Sequence, residues 1–429
     1  MRAGKLLVAA VLTVSALTVP GASTTITKQA HTGRIDRPQY EFAPPDTVLR
    51  PGAPADVGLD PAPLRPAEQF LTDWSAPDPA TGHPRFSGAV GLLAHDGVIV
   101  DEATTGGAVR FADAAGTELP PEQQVPMHPD TIFDLASITK LFTSLAVMQL
   151  ADDGRVALDH PVAEYLPEFA SNGKQTVTVR QLLTHTSGLA AEPRPSLWEG
   201  YQDIPSRRTA VLDSPLTNQP GTTYLYSDIN LMTLGFLVER IAGQPLDVVV
   251  RDRITQPLGM ADTAFNPPAG KLDRIAATEF EANPPRGMVR GQVHDENAWA
   301  LGGVSGHAGI FSTASDVAVL AQTILNGGAY RGARILRPET VRAMLTDYNE
   351  AFPGHAHGLG FELDQRFYMG ALSSPTTAGH TGFTGTSLVI DPVSRSFAIL
   401  LTNRVHPTRD WGSINPAREK WASALAEAR

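Results

Sequence analysis

The chain has 429 residues, of which 42% are hydrophobic and 18% charged, with a formal net charge of −11 and no cysteine. That size and apolar content allow a sizeable buried core. The negative balance argues against a nucleic-acid partner, and the missing cysteines exclude disulfides, thiol catalysis, cysteine metal sites and a lipidated cysteine.

Taken in chain order, the first feature is an export signal. Arg2 and Lys5 precede the apolar run LLVAAVLTVSALTV and the small residues PGAS, which predicts a cleaved signal peptide over residues 1–23. The run ends before membrane-spanning length, and no later segment reads as a span. A secreted or extracytoplasmic protein with no stable membrane anchor is therefore expected. Residues 24–54 are rich in proline, threonine and charge, which predicts an arm or linker. The remainder, 55–429, reads as one catalytic domain.

A helix is expected over 61–74. The stretch FSGAVGLLAHDGVIVDEA then predicts a hairpin turning at His95, Asp96 and Gly97. The stretch FDLASITKLFTSLAVMQL (133–150) predicts a helix that is apolar on nearly every face, yet it carries Lys140 one turn after Ser137. Residues 140–330 read as mostly helical, including a helix that ends at Gly243 and another capped by Ser315 and ended at Gly327. GTSLVIDPVSRSFAILLTN predicts a second hairpin at Asp391 and Pro392, and a last helix covers 416–427. Strands at both ends with helices between them predict an α+β fold. Its antiparallel sheet would be built from both chain ends and flanked by helices, with an inserted helical lobe and a cleft between the lobes.

The chemistry begins with Ser137 and Lys140, whose spacing places both on one helix face. A serine hydroxyl needs a base, and a buried lysine whose proton affinity falls can serve as one. The pattern is weak alone, because Ser171 and Lys174 repeat it. That copy contains Asn172-Gly173 and predicts a turn with nothing on a shared face. Two later stretches add weight. Tyr226 and Asp228 precede a helix, and His380-Thr381-Gly382 precedes an apolar strand, where a free backbone N–H could serve an oxyanion.

Together these residues resemble the three motifs of the serine β-lactamase and penicillin-binding-protein superfamily, in its class C-like branch of D,D-peptidases, esterases and amidases. TVRQLLTHTSGL (178–189) and GHAGIFSTASDVA (306–318) are similar to blocks of the same group. The resemblance implies a β-lactamase/transpeptidase-like fold and a serine hydrolase that works through an acyl-enzyme on an amide or ester. Residue by residue, it implies Ser137 as nucleophile, with Lys140 and Tyr226 sharing the proton transfers. The N–H groups of Ser137 and Phe383 would form the oxyanion hole, and the Thr381 hydroxyl would meet the substrate. No cofactor and no metal are implied.

Two positions depart from the pattern. Asp228 stands where asparagine is usual, and it would either pair with Lys140 and keep it charged or turn into the loop. His380 stands where lysine is common, so a substrate carboxylate would meet a permanent charge no longer but an imidazole that gains its proton near the ordinary histidine value. GQVHDENAWALGGVSGHAGIFSTA (291–314) is similar to a branch with exported penicillin-binding-protein-like hydrolases and an amidase that removes N-acetylmuramic acid from cell-wall peptides. The implied partner is a small-molecule or peptide substrate derived from peptidoglycan.

A metal reading also exists: His355 and His357 have zinc-ligand spacing, and His294, Asp295, Glu296 and His307 could join them. Their Gly/Pro loop argues against it. His185 and His307 sit in turns where a hydrogen bond to backbone is expected. Trp299 is the one tryptophan expected near the cleft.

Overall fold

The structure, a computed structural model, describes residues 39–429. The expected signal peptide and the first part of the arm lie outside the described residues.

The main sheet is built from both ends of the chain, as the two hairpins require. The first hairpin joins β2 (Gly88–His95) to β3 (Val98–Val109). Asp96 and Gly97 both take positive φ, 48° and 76°, the turn whose twist matches the flanking strands. Later strands are β4 (Glu362–Leu363), β5 (Ala378–Thr381), β6 (Ser387–Asp391) and β7 (Ser396–Thr402). Together with β1 (Arg50–Pro51), the order is β1-β3-β2-β7-β6-β5-β4, and a short strand, Val125–Pro126, pairs with β3. The C-terminal β7 lies antiparallel to the N-terminal β2, with Leu400 opposite Gly91. One pairing is not antiparallel: β1 runs parallel to β3.

That β1 contact is one of several that tie the described part of the arm to the domain. Ala43 N–H donates to the Leu325 carbonyl at 2.9 Å, and Asn326 Nδ2 donates to the Thr47 carbonyl at 2.9 Å. The described part of the arm is docked on the domain instead of hanging free.

Both sheet faces are covered, and the strand period of two divides them. Val90 and Leu92 of β2 and Ile399 and Leu401 of β7 face one core, shared with α2 (Thr139–Asp152), α3 (Asp228–Ala242) and α4 (Ala314–Leu325). Ala89, Leu93, Ala398 and Leu400 face a second core, under α1 (Leu64–Ser75) and α5 (Asn415–Glu427). Gly91 is glycine for a packing reason: a Cβ there would lie 2.6 Å from the Trp421 ring of α5. In α2 every residue from Thr139 to Leu150 is buried, which is why its sequence lacks a polar face. The α4 cap is Thr313, whose hydroxyl accepts from Asp316 N–H, and not the expected Ser315. The α3 cap is Ser227, so Tyr226 and Asp228 flank a helix start.

Candidate active site

The nucleophile turn is held from below by a buried carboxylate. Asp134 lies in a short strand, Phe133–Asp134, that pairs with Ile310–Ser312. One of its oxygens accepts from Ala136 N–H at 2.8 Å and the other from His294 N–H at 2.7 Å. Ala136 is thereby fixed at φ +47°, a region that residues with a Cβ adopt at a cost and that clusters at functional turns. Ser137 follows at once, in a single 3-10 turn, Ala136–Ile138, that leads into α2. Nothing in the sequence pattern pointed to Asp134 or Ala136.

Lys140 is 1% exposed, so it does not snorkel to solvent. Its ammonium has three N–H bonds, and three oxygens surround it: Ser137 Oγ at 2.8 Å, Asp228 Oδ1 at 2.8 Å and the His307 carbonyl at 3.2 Å. The Tyr226 ring lies beneath, 4.9 Å from Nζ to its centroid. Burial pulls the lysine down, but Asp228 and Tyr226 outweigh it, and the net displacement is upward. Of the two alternatives left open for Asp228, the structure adopts the ion pair. Burial also pushes the Tyr226 phenol up, to about 12, with Lys140 drawing it partly back. The resting site thus pairs a charged lysine with a neutral tyrosine. His185 braces this tyrosine, ring to ring at 4.7 Å, while its Nδ1 accepts from Ser227 N–H at 3.0 Å.

The third motif meets the nucleophile turn through backbone. Thr384 Oγ1 donates to the Asp134 carbonyl at 2.7 Å and Thr386 Oγ1 to the Leu135 carbonyl at 3.0 Å. Gly382 is pressed between them: a Cβ would lie 2.3 Å from the Leu135 carbonyl oxygen and 2.1 Å from Thr386 Oγ1. Its own N–H closes the β5–β6 ladder on the Thr386 carbonyl at 2.8 Å, leaving Phe383 just past the last rung. His380 does not gain its proton near the ordinary histidine value, as the sequence leads one to expect. Its Nδ1 bonds the Thr381 carbonyl at 2.8 Å, and its buried Nε2 has no partner among the described residues. Burial, then the Lys140 charge, push the imidazole down to about 3, so it is neutral at physiological pH.

A cleft of about 630 Å³ brings Ser137, Tyr226, His380, Thr381 and Phe383 together. Two arginines, Arg404 and Arg418, also line it, and Arg418 lies on α5. Arg418 is 8% exposed. Its guanidinium donates to the Gly382 carbonyl at 2.7 Å and to the Thr386 carbonyl at 3.0 Å. Burial lowers it to about 10, which leaves it charged. Only the knowledge that α5 folds back beneath β5 could have revealed it.

The other histidines separate. His355 stacks on Tyr224 at 4.4 Å, and His357 Nδ1 bonds the Gly358 carbonyl at 2.7 Å. Among the described residues, two carboxylate–histidine clusters have their ligand-type atoms within 4.8 Å of one another: Asp228, Asp295 and His307, and Glu279, Glu281 and His294. Each already holds a protein cation, Lys140 against Asp228 at 2.8 Å and Arg409 against Glu279 at 2.6 Å. His307 bonds Asp295 through Nε2 at 2.9 Å and Ser305 through Nδ1 at 2.8 Å, so its partners are side chains and not the expected backbone. Trp299 is 37% exposed and packs under the Arg286 guanidinium; it is not among the cleft residues. The Ser171 copy also differs from expectation. It does lie in a turn, with Asn172 and Gly173 at φ 56° and 82°, yet Lys174 Nζ still comes within 3.3 Å of Ser171 Oγ.

A serine held by a buried lysine, with a tyrosine ring against the lysine and a glycine-bearing strand beside it, defines a serine hydrolase on an α+β scaffold. The chain belongs to the beta-lactamase family, whose model matches residues 78–421. A protein of Escherichia coli (strain K12) named "Putative D-alanyl-D-alanine carboxypeptidase" is 36% identical over 390 residues, 84% of this chain and 86% of that protein. The fold is shared with a penicillin-binding-protein homologue from Caulobacter crescentus, at TM-score 0.66 and 23% identity over 87% of this chain and 99% of that one. It is shared equally with EstCE1, a hydrolase with promiscuous acyltransferase activity, at TM-score 0.66 and 24% identity over 85% and 98%. No helix among the described residues is long and apolar enough to cross a membrane.

Proposed function

We propose that the protein is an exported serine peptidase or amidase that forms an acyl-enzyme on Ser137 and cleaves a cell-wall-derived peptide bearing a free carboxylate. The observation that carries this reading is the placement of fixed positive charge, Arg418 with Arg404 also in the lining, in the cleft that Ser137 opens into. A carboxylate beside the scissile amide would be drawn to a guanidinium. The name of the Escherichia coli relative agrees with such a substrate, and the apolar N-terminal run supports export.

In this reading Ser137 attacks the carbonyl carbon, and Lys140 and Tyr226 move its proton. The backbone N–H groups of Ser137 and Phe383 receive the oxyanion, and Thr381 offers its hydroxyl. His380 serves as a neutral acceptor through Nε2. Phe367 and Phe383, 44% and 48% exposed at the cleft, favour a second reading, an esterase for apolar acyl groups. Purified protein offered D-Ala-D-Ala peptides, muramoyl peptides, nitrocefin and nitrophenyl esters separates the two. Turnover of the carboxylate-bearing peptides with a mass adduct on Ser137 supports the first. Turnover of esters alone replaces it with the second.

A further inference from the structure

Resting on the assignment of Ser137 and Lys140 above, we propose that Asp228 is the terminal proton acceptor in acylation, receiving through Lys140 the proton that Ser137 gives up. As an ammonium that donates to Ser137 Oγ at 2.8 Å and to the His307 carbonyl at 3.2 Å, with Asp228 Oδ1 ion-paired to it at 2.8 Å, Lys140 has no lone pair to offer Ser137. It can take a proton from Ser137 only by passing one of its own onward. Of the groups around it, Ser137 is the proton's source, the His307 carbonyl is a weak base, and the Tyr226 hydroxyl, which also reaches Lys140 and Ser137, is neutral. Asp228 Oδ1, at 2.8 Å, is the one anion in contact.

The groups around Asp228 suit that role. Tyr226 precedes it by two residues, and Asp295 and His307 approach it from the loop region before and after 300, their ligand-type atoms and its own within 4.8 Å of one another. Glu192 adds a further carboxyl close enough to feel Asp228 and Asp295. A proton arriving at Asp228 therefore removes one of several negative charges held close together, and it does so 2.8 Å from the ammonium that delivers it.

The step balances. Ser137 Oγ bonds to the carbonyl carbon, and its proton passes to Lys140 Nζ as an ammonium proton passes to Asp228 Oδ1. The carbonyl π pair moves to oxygen. On collapse that pair returns and the carbon–nitrogen bond breaks. The leaving nitrogen takes a proton from Tyr226, which is refilled by Lys140, and Lys140 by Asp228. All three residues end in their starting states.

The opposing view is that Asp228 only holds Lys140 charged and slows it. The Asp228→Asn variant decides between them, because the two views predict opposite signs. Single-turnover acylation by a nitrophenyl ester is measured at neutral pH, with melting midpoints to confirm folding. We expect a fall of roughly hundredfold in Asp228→Asn, KM within about twofold, and partial recovery in Asp228→Glu. Acylation rates in H2O/D2O mixtures should bend for the wild type, with two protons in flight, and become linear in Asp228→Asn. A faster or unchanged Asp228→Asn enzyme overturns the proposal. If Ser137→Ala still acylates, the underlying assignment has failed instead, and the two failures are distinguishable.

Discussion

Ser137 with Lys140 and Ser171 with Lys174 are the same four-residue pattern folded in two ways. Both lysines are buried, at 1% and 0% exposure, and both approach their serine, at 2.8 and 3.3 Å. What differs is everything around them. Ser137 opens into a cleft beside Thr381, Phe383 and Arg418. Ser171 spends its hydroxyl on Asp213 Oδ1 at 2.9 Å, and Lys174 is tied to the Ser214 carbonyl at 2.8 Å. Even the electrostatics run oppositely. Burial lowers Lys174 with Asp213 only partly compensating, whereas Asp228 and Tyr226 carry Lys140 upward against its burial. On these shifts alone, Lys174 is the lysine that more readily gives up its proton and becomes neutral. A depressed lysine beside a serine is thus not enough; the nucleophile also needs room for a substrate and donors for an oxyanion.

The comparison breaks most simply at the two serines. Ser137→Ala should abolish labelling by an acylating probe, a loss of more than about a thousandfold, while Ser171→Ala should label at the wild-type rate. Peptide mapping of the adduct checks this, and labelling at Ser171 would invert the assignment. Next in size is the surrounding charge. Arg418→Met should raise KM for carboxylate-bearing substrates by roughly thirtyfold or more, and Arg418→Lys should recover part of it. Nitrophenyl esters should notice little. Smaller again is a null effect at His380. Because burial holds it down to about 3, KM for the same carboxylates should stay flat from about pH 5.5 to 8, across the ordinary histidine value. A KM that falls on acidification through that range would restore the ordinary titration of His380 expected from sequence.

How far the sequence carried this picture depends on the range of each interaction. The hairpins at 95–97 and 391–395, the α2 helix and the end of α3 at Gly243 rest on turn chemistry and local period, and they were legible. Ser137, Lys140, Tyr226 and His380-Thr381-Gly382 were legible only in combination, since each alone has an ordinary explanation. Where the described part of the arm docks was not legible, because its partners, Leu325 and Asn326, lie some 280 residues away. Arg418 was missed for the same reason: a charged residue on a terminal helix looks solvated until the helix is packed against β5. The His380 state was misjudged because burial is a property of the fold. Asp228 was read with two outcomes, and only the placement of α3 against α2 chooses between them.

The smallest expected effect sharpens the comparison through stability in alkali. Lys174 is lowered from 10.5 by burial, with Asp213 offsetting part of this. Just below pH 10.5 the unfolded chain therefore binds more protons at this site than the folded one. Stability rises with pH wherever that holds, so Lys174 contributes a rising component that ends near 10.5. Lys140 is raised above 10.5 by Asp228 and Tyr226 in spite of its burial. Its folded form binds more protons above that value, so its contribution is complete below 10.5 and is lost as pH rises through the folded value. Melting midpoints of wild type, Lys174→Met and Lys140→Met between about pH 8.5 and 11.5 test both signs. Lys174→Met should fall further behind wild type as pH approaches 10.5, because wild type alone gains. Lys140→Met should close its gap above 10.5, because wild type alone loses. Each change should amount to a few degrees at most, about 2 °C per kcal/mol for a chain of this size. Two gaps that move in the same direction would mean that Asp228 does not hold Lys140 charged, and the contrast between the two copies would reduce to the cleft alone.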